Sequence, residues 1–243
     1  SSVGETIVHH PKVMALSFTG SNPVGQKLYQ DGAARGIKVQ CEMGGKNPIV
    51  VLDDADVDLA VEATAQGAFG STGQRCTATS RAIVTEAIAD EFVKKLVARA
   101  KTIRIGNGMD ADTDMGPIVD DGQMQSVVEG VEKAKADSRC GQLLLGGERA
   151  MTPPLDKGTF FPPTIFDHVD PDSFLAQEEL FGPVLAVIRV KDFEEAIKAA
   201  NNVAYGLSSS VYTKNTDLVF RFLDLIETGI THVNSPTMGG EAQ

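Results

Sequence analysis

Val184-Leu185-Ala186-Val187-Ile188-Arg189-Val190 is the stretch on which the reading of the fold turns. Apart from Arg189 it is apolar throughout and largely β-branched, without the polar alternation of a half-exposed strand. So short a run reads as a strand covered on both faces. The chain beyond it has a regular rhythm: 193–201 reads as a helix, 208–213 as a strand, 216–226 as a helix and 229–234 as a final strand. Strands alternating with helices imply an α/β fold, a mainly parallel sheet with helices on both faces.

The same alternation extends toward the N-terminus. A helix at about 122–136 precedes a strand at 142–145 that Gly146-Gly147 ends, and 81–85 is strand-like. The clearest amphipathic helix is 88–103, with Ile88, Phe92, Leu96, Val97, Ala100 and Ile103 at helical spacing. Asp53-Asp54-Ala55-Asp56 caps a helix with Leu59, Ala63, Ala65, Ala68 and Phe69 on its apolar side, broken by Gly70 and Gly73. Strands are expected at 48–52, 38–41 and 13–18. After the last of these, Thr19-Gly20-Ser21-Asn22-Pro23 leads into a helix reaching about Ala34, with Pro23 in its first turn. Residues 1–12 are polar, and Pro153, Pro154, Pro162 and Pro163 bracket an irregular stretch. No repeat, low-complexity tract or clean linker interrupts the chain. Both ends read as those of a piece of something longer: a strand-turn-helix unit at the start needs neighbouring strands, and Gly239-Gly240-Glu241-Ala242-Gln243 comes after a strand with no closing element.

The 243 residues, 42% hydrophobic and 23% charged, can bury a substantial core. Acidic residues outnumber basic ones, 33 to 22, for a net charge of −11. A cleft that tracks nucleic-acid phosphates needs the opposite balance, so no nucleic-acid partner is expected. Cys41, Cys76 and Cys140 are odd in number and far apart, with neither CxxC nor a Cys/His cluster. That speaks against a disulfide framework and a zinc site, and for a reducing compartment, the cytoplasm. No apolar run approaches membrane-spanning length, so no membrane partner is expected. The Asp54-Ala55-Asp56-Val57-Asp58 string imitates the start of a calcium loop, but Leu59 and Ala65 stand where that loop needs Gly and Glu. No metal is expected.

Gly73-Gln74-Arg75-Cys76-Thr77 and Cys41-Glu42-Met43-Gly44-Gly45-Lys46 place a thiol and a carboxylate on two glycine-marked turns. A thiol is a strong nucleophile once ionised, and a free thiol is roughly 3% thiolate at neutral pH. A carboxylate across a pocket activates water to release what the thiol has captured, a task suited by partial burial that raises its pKa. The pair suggests covalent catalysis on a carbonyl, with a buried structural cysteine and a salt-bridged strand-end glutamate as the plain alternatives. Gly20 and Ser21 open a helix whose N-terminal amides suit a pyrophosphate, although the Gly20 to Gly25 spacing does not match the usual dinucleotide fingerprint.

These motifs, with Phe18-Thr19-Gly20-Ser21, Glu42-Met43-Gly44-Gly45-Lys46-Asn47-Pro48, Glu178-Glu179-Leu180-Phe181-Gly182-Pro183-Val184, Ala200-Asn201 with Tyr205-Gly206-Leu207, and Val233-Asn234, resemble the aldehyde dehydrogenase superfamily in order and spacing. Within it, the strings around Glu42 and Cys76 look most like dehydrogenases of α-ketoglutarate semialdehyde (2,5-dioxovalerate). The resemblance covers nearly the whole chain. It implies a three-layer catalytic domain at 43–243, truncated at its C-terminal end. It also implies that 1–42 is the C-terminal part of a dinucleotide-binding domain, a partial Rossmann-like strand-helix unit.

By the same resemblance, Cys76 attacks the aldehyde and Glu42 deacylates the thioester. Gly20 and Ser21 touch the cofactor, NAD or NADP, and Gly44 lets the backbone pass close to it. Glu179 accepts from the nicotinamide ribose hydroxyls with Phe181 beside it. The family's upstream asparagine amide and adenosine-ribose contacts have no counterpart in these residues, and family members are about twice as long. A homo-oligomeric full-length enzyme and an inactive isolated chain are therefore expected. Other readings are a cysteine esterase or acyltransferase, which leaves Glu179-Leu180-Phe181 unexplained, and a non-catalytic use of the scaffold. Arg75 either draws a substrate carboxylate or has a structural role, Glu178 is expected to be solvated, and Cys41, Cys140 and the histidines carry no expected chemistry.

Overall fold

The structure, a computed structural model, describes residues 2–239 and divides into two compact units, Ser1–Gly44 and Gly45–Gln243. Residues 240–243, on which much of the expectation of an unclosed end rests, lie outside the described residues.

The first unit holds helix α1 (Ser2–His9), strand β1 (Ala15–Thr19), helix α2 (Asn22–Arg35) and strand β2 (Lys38–Glu42). The two strands pair in parallel, from Ala15 against Lys38 to Thr19 against Glu42. Pro23 stands in the first turn of α2, and Gly36 ends the helix in the left-handed region (φ 66°), its amide returning to the carbonyls of the last turn. The polar segment ahead of the first strand folds in part as α1, and the Arg35 guanidinium, which donates to the carbonyls of Val8, His10 and Val13, ties this segment to the end of α2.

The second unit is built on seven strands. In chain order these are β3 (Asn47–Val51), β4 (Thr79–Thr85), β5 (Gln142–Leu145), β6 (Thr164–Asp167), β7 (Val184–Val190), β8 (Ser208–Tyr212) and β9 (Ile230–Val233). They lie in the order β5-β6-β7-β4-β3-β8-β9, and only β5 runs antiparallel to its neighbour. Helices α3 (Val57–Phe69), α4 (Glu86–Ala100), α5 (Asp121–Ala136), α6 (Phe174–Gln177), α7 (Phe193–Asn201) and α8 (Thr216–Leu225) cover the sheet.

Successive residues of a strand point to opposite faces, and the core divides accordingly. Ile49, Val51, Leu185 and Val187 join Ala60, Phe69, Phe92 and Leu96 of α3 and α4. Val50, Leu52, Ala186 and Ile188 join residues of α5, α6, α7 and α8, including Val127, Leu175, Phe193 and Phe222. This is the three-layer, mainly parallel arrangement expected. Leu59 departs from the expected apolar side of α3 and is 48% exposed. Pro162 and Pro163 hide β6 from a reading of the sequence: Thr164 comes directly after them and pairs with β7, and the strand it opens also pairs with β5.

Candidate active site

Four motifs of the second unit lie in loops that lead into strands. Gly45-Lys46 precedes β3, Cys76 precedes β4, Glu179 and Phe181 precede β7, and Tyr205-Gly206-Leu207 precedes β8. Since β7, β4, β3 and β8 are consecutive neighbours and all parallel, the topology gathers these loops at one edge of the sheet. That edge is the N-terminal one, whereas ligands of open α/β sheets generally sit at the carboxyl ends of the strands.

The turn ahead of Cys76 is unusual backbone. Ser71, Thr72 and Gly73 all have positive φ (53°, 58° and 66°), a left-handed run that non-glycine residues rarely enter. It is fastened to 116–119: the Thr72 hydroxyl donates to the Gly116 carbonyl at 3.1 Å, and Gln74 Oε1 accepts from the Val119 amide at 3.0 Å. Cys76 itself is exposed. Its carbonyl accepts from Asn47 Nδ2 at 2.8 Å, and the same nitrogen donates to Ala78 at 2.8 Å, while Asn47 Oδ1 accepts from the Ser208 amide. One buried amide thus ties the cysteine loop to β8. Nothing in the sequence marks Asn47 as a functional residue, although it sits inside the Gly-Gly-Lys-Asn-Pro motif.

Glu179 stands in a small cleft lined by Gly45, Lys46, Gly73, Arg75 and Phe181. Its Oε1 accepts from the Gly45 amide at 3.1 Å. Burial pushes its carboxyl above the ordinary range, and the Gly45 amide and Lys46 ammonium pull it back part of the way. Lys46 is 2% exposed. Burial, reinforced by the Arg81 guanidinium, pushes it down to about 7, with Glu179 and Glu178 opposing. Phe181 takes a left-handed backbone (φ 51°) and remains 37% exposed. Tyr205 is raised by burial, with the Glu179 backbone amide opposing.

Below the cleft, Arg81 is almost fully buried and donates to the carbonyls of Lys46 (2.9 Å), Ala199 (2.8 Å) and Ala200 (2.8 Å). The only trace of this in the sequence is a charged residue inside an apolar strand. Arg75 donates to the Ser71 hydroxyl at 3.0 Å, Glu178 is exposed and Cys140 lies in the core.

Gly20, Ser21, Glu42 and Gly44 belong to the first unit, and Cys76, Glu179 and Phe181 to the second. Within the first, the Gly20 amide donates to the Glu42 carbonyl at 3.0 Å. Ser21 is the N-cap of α2 but its hydroxyl makes no capping bond, so the first amides of that helix have no side-chain acceptor from it. Glu42 closes β2 and is exposed, in contrast to the partial burial expected of it. Cys41 Sγ faces the Gly25 carbonyl at 3.7 Å. Among the described residues no group of His, Cys, Asp or Glu side chains is placed to hold a metal ion, and no helix is long and apolar enough to cross a membrane.

A family profile described as the aldehyde dehydrogenase family matches residues 1–243. The alpha-ketoglutaric semialdehyde dehydrogenase of Bacillus subtilis (strain 168) is 45% identical over 243 residues, covering 100% of this chain and 49% of its own length. The 2,5-dioxopentanoate dehydrogenase of Saccharolobus solfataricus is 41% identical over 245 residues, with coverages of 100% and 50%. The crystal structure of the betaine aldehyde dehydrogenase of Staphylococcus aureus in complex with NAD+ superposes with a TM-score of 0.95 at 34% identity, over 99% of this chain and 47% of that one. The chain spans about half the length of the curated relatives it matches. With the profile, the relatives and the arrangement of loops in agreement, these residues belong to the aldehyde dehydrogenase family.

Proposed function

We propose that, in a full-length protein carrying this chain, these residues oxidise an aldehyde to the carboxylic acid with NAD or NADP. The observation that carries the reading is the gathering of the Cys76 loop, the Gly45 amide and the Glu179 carboxylate at one edge of the sheet. The Cys76 sulfur attacks the aldehyde carbon to give a thiohemiacetal. A bound nicotinamide would supply the acceptor for the hydride that leaves that carbon. A thioester then remains on Cys76, and Glu42 takes a proton from the water that hydrolyses it, releasing acid and free thiol.

The chemistry of the cleft fits the cofactor. A part-buried carboxylate with an oxygen free to accept suits a vicinal diol, and Glu179 keeps Oε2 outside its bond to Gly45. Phe181 stands beside it, Gly44 allows close approach of the backbone, and Gly20 and Ser21 offer the uncapped start of α2 to the pyrophosphate. We assign residues 1–42 to the end of a cofactor domain and 43–243 to the catalytic domain. The substrate proposed is a semialdehyde such as 2,5-dioxovalerate, on the strength of the likeness to the Bacillus and Saccharolobus enzymes. A homo-oligomer in the cytoplasm is the setting we propose. The 243-residue chain alone should turn over negligibly, since removal of a single oxyanion donor costs about 10²–10³ in rate.

Two variants of the full-length protein test the reading. Cys76→Ala should abolish formation of reduced cofactor from 2,5-dioxovalerate, and continued oxidation would sink the mechanism. Glu42→Gln should accumulate an acyl-enzyme visible by intact mass; undiminished turnover with no adduct would remove Glu42 from the role of base.

A further inference from the structure

Helix α5 carries Gln123, Val127 and Gly130 four and then three residues apart, which places them on one face. Each meets a different part of the 178–183 turn. Gln123 Nε2 donates to the Leu180 carbonyl at 2.9 Å and to the Phe181 carbonyl at 3.0 Å. Gly182 lies over Val127 so closely that a Cβ on the glycine would stand 2.6 Å from a Val127 methyl. The Leu180 side chain occupies the space above Gly130, where a Cβ would stand 2.5 Å from Leu180 Cδ2. Gln123 is itself held, since the α5 cap Asp120 accepts from its backbone amide at 2.8 Å. The turn needs such a hold: Phe181 is a bulky residue in the left-handed region, a conformation that persists only where the surroundings impose it.

We infer that this face of α5 is a seat that sets the shape of the 178–183 turn, and that Gln123 and Gly130 are positioning residues for the Glu179 carboxylate. Gln123 reaches the carbonyls on the far side of Glu179, while Gly45 grips the carboxylate directly. This positioning role rests on the proposed role of Glu179 toward the nicotinamide ribose. α5 thereby controls cofactor affinity by fixing the backbone from which Glu179 projects.

The test is the affinity of the full-length protein for NADH and NADPH, read from nicotinamide fluorescence. Gln123→Glu keeps the shape of the side chain but replaces the donating amide with an acceptor that faces two carbonyls. It should weaken binding about 10-fold or more, as should Glu179→Gln. Gly130→Ala, which displaces Leu180, should weaken binding in the same direction, and Gln125→Ala on the exposed face of α5 should leave it unchanged. The double variant Gln123→Glu/Glu179→Gln should bind no more weakly than Glu179→Gln alone, because both changes act through one carboxylate. Additive losses would mark Gln123 as a general structural residue and overturn the inference. Weakening by Glu179→Gln but not by Gln123→Glu would overturn it as well. Full affinity in Glu179→Gln would instead overturn the ribose reading, and the positioning role with it.

Discussion

Gly45 and Glu179, 134 residues apart in sequence, meet through a hydrogen bond of 3.1 Å from amide to carboxylate. The same glycine turns its α-carbon toward the cysteine loop, where a Cβ would stand 2.7 Å from the Cys76 carbonyl oxygen and 2.6 Å from Asn47 Oδ1. One residue therefore sets two distances, to the Cys76 backbone and to the carboxylate of the cleft. Gly45→Ala should disturb both. In the full-length protein we expect turnover to fall about 10-fold or more, with weakened NADH binding. Loss of one property with the other intact would contradict this dual role.

Gly73 is confined differently. Its φ is 66°, and a Cβ would stand 2.2 Å from the backbone carbonyl of Gly182, a contact no side-chain rotation relieves. Gly73→Ala should lower the unfolding free energy by more than the roughly 1–2 kcal/mol cost of a left-handed alanine. Urea unfolding gives the figure, and a loss below that range would mean the two turns part easily.

Arg81 is the largest fully buried side chain among the described residues and satisfies three carbonyls with its fork. Arg81→Lys retains the charge but cannot span the three acceptors. With buried carbonyls left unpaired, we expect destabilisation of about 2 kcal/mol or more. An unfolding midpoint within error of the parent would show that water or a shifted lysine serves equally well.

Lys46 gives a pH signature. Its folded value is pushed down to about 7 from an ordinary 10.5, so its charged form is costly in the native state. Between those values the unfolded chain holds more protons than the folded one, and stability due to this group rises with pH. Lys46→Met should thus be more stable than the parent near pH 6, with the difference closing as pH approaches about 10. Midpoints measured across that range check the sign; a gap that widens with pH would contradict it.

Much of this fold is written locally. The apolar runs within β3 and β7 are buried along almost their whole length, and Asp56 caps α3 by accepting from the Leu59 amide. Both features arise from neighbouring residues, so they are legible one segment at a time. β6 is not, because it has four residues next to two prolines, and pairing on both sides stabilises it rather than its own composition. Nor is α1, whose anchor Arg35 lies 27 residues away from Val8. The candidate site divides the same way. Cys76, Glu179 and Phe181 stand in recognisable strings, whereas Asn47, Arg81 and Gln123 act through bonds from side chain to distant backbone. Such bonds exist only once the strands are in register, and no spacing along the chain announces them.

The gathering of the site loops at the entrances to four adjacent strands gives the sheet the role of a ruler. Neighbouring strands stand about 4.8 Å apart whatever side chains they carry, so the spacing of the loops is fixed by backbone pairing alone. Residues within a loop can then be exchanged without displacing the loops on either side. A slip of one residue in any of the four strands, by contrast, would move one chemical group along the edge while its neighbours stayed in place. Tolerance to change should accordingly be high at the loop tips and low in the strands behind them.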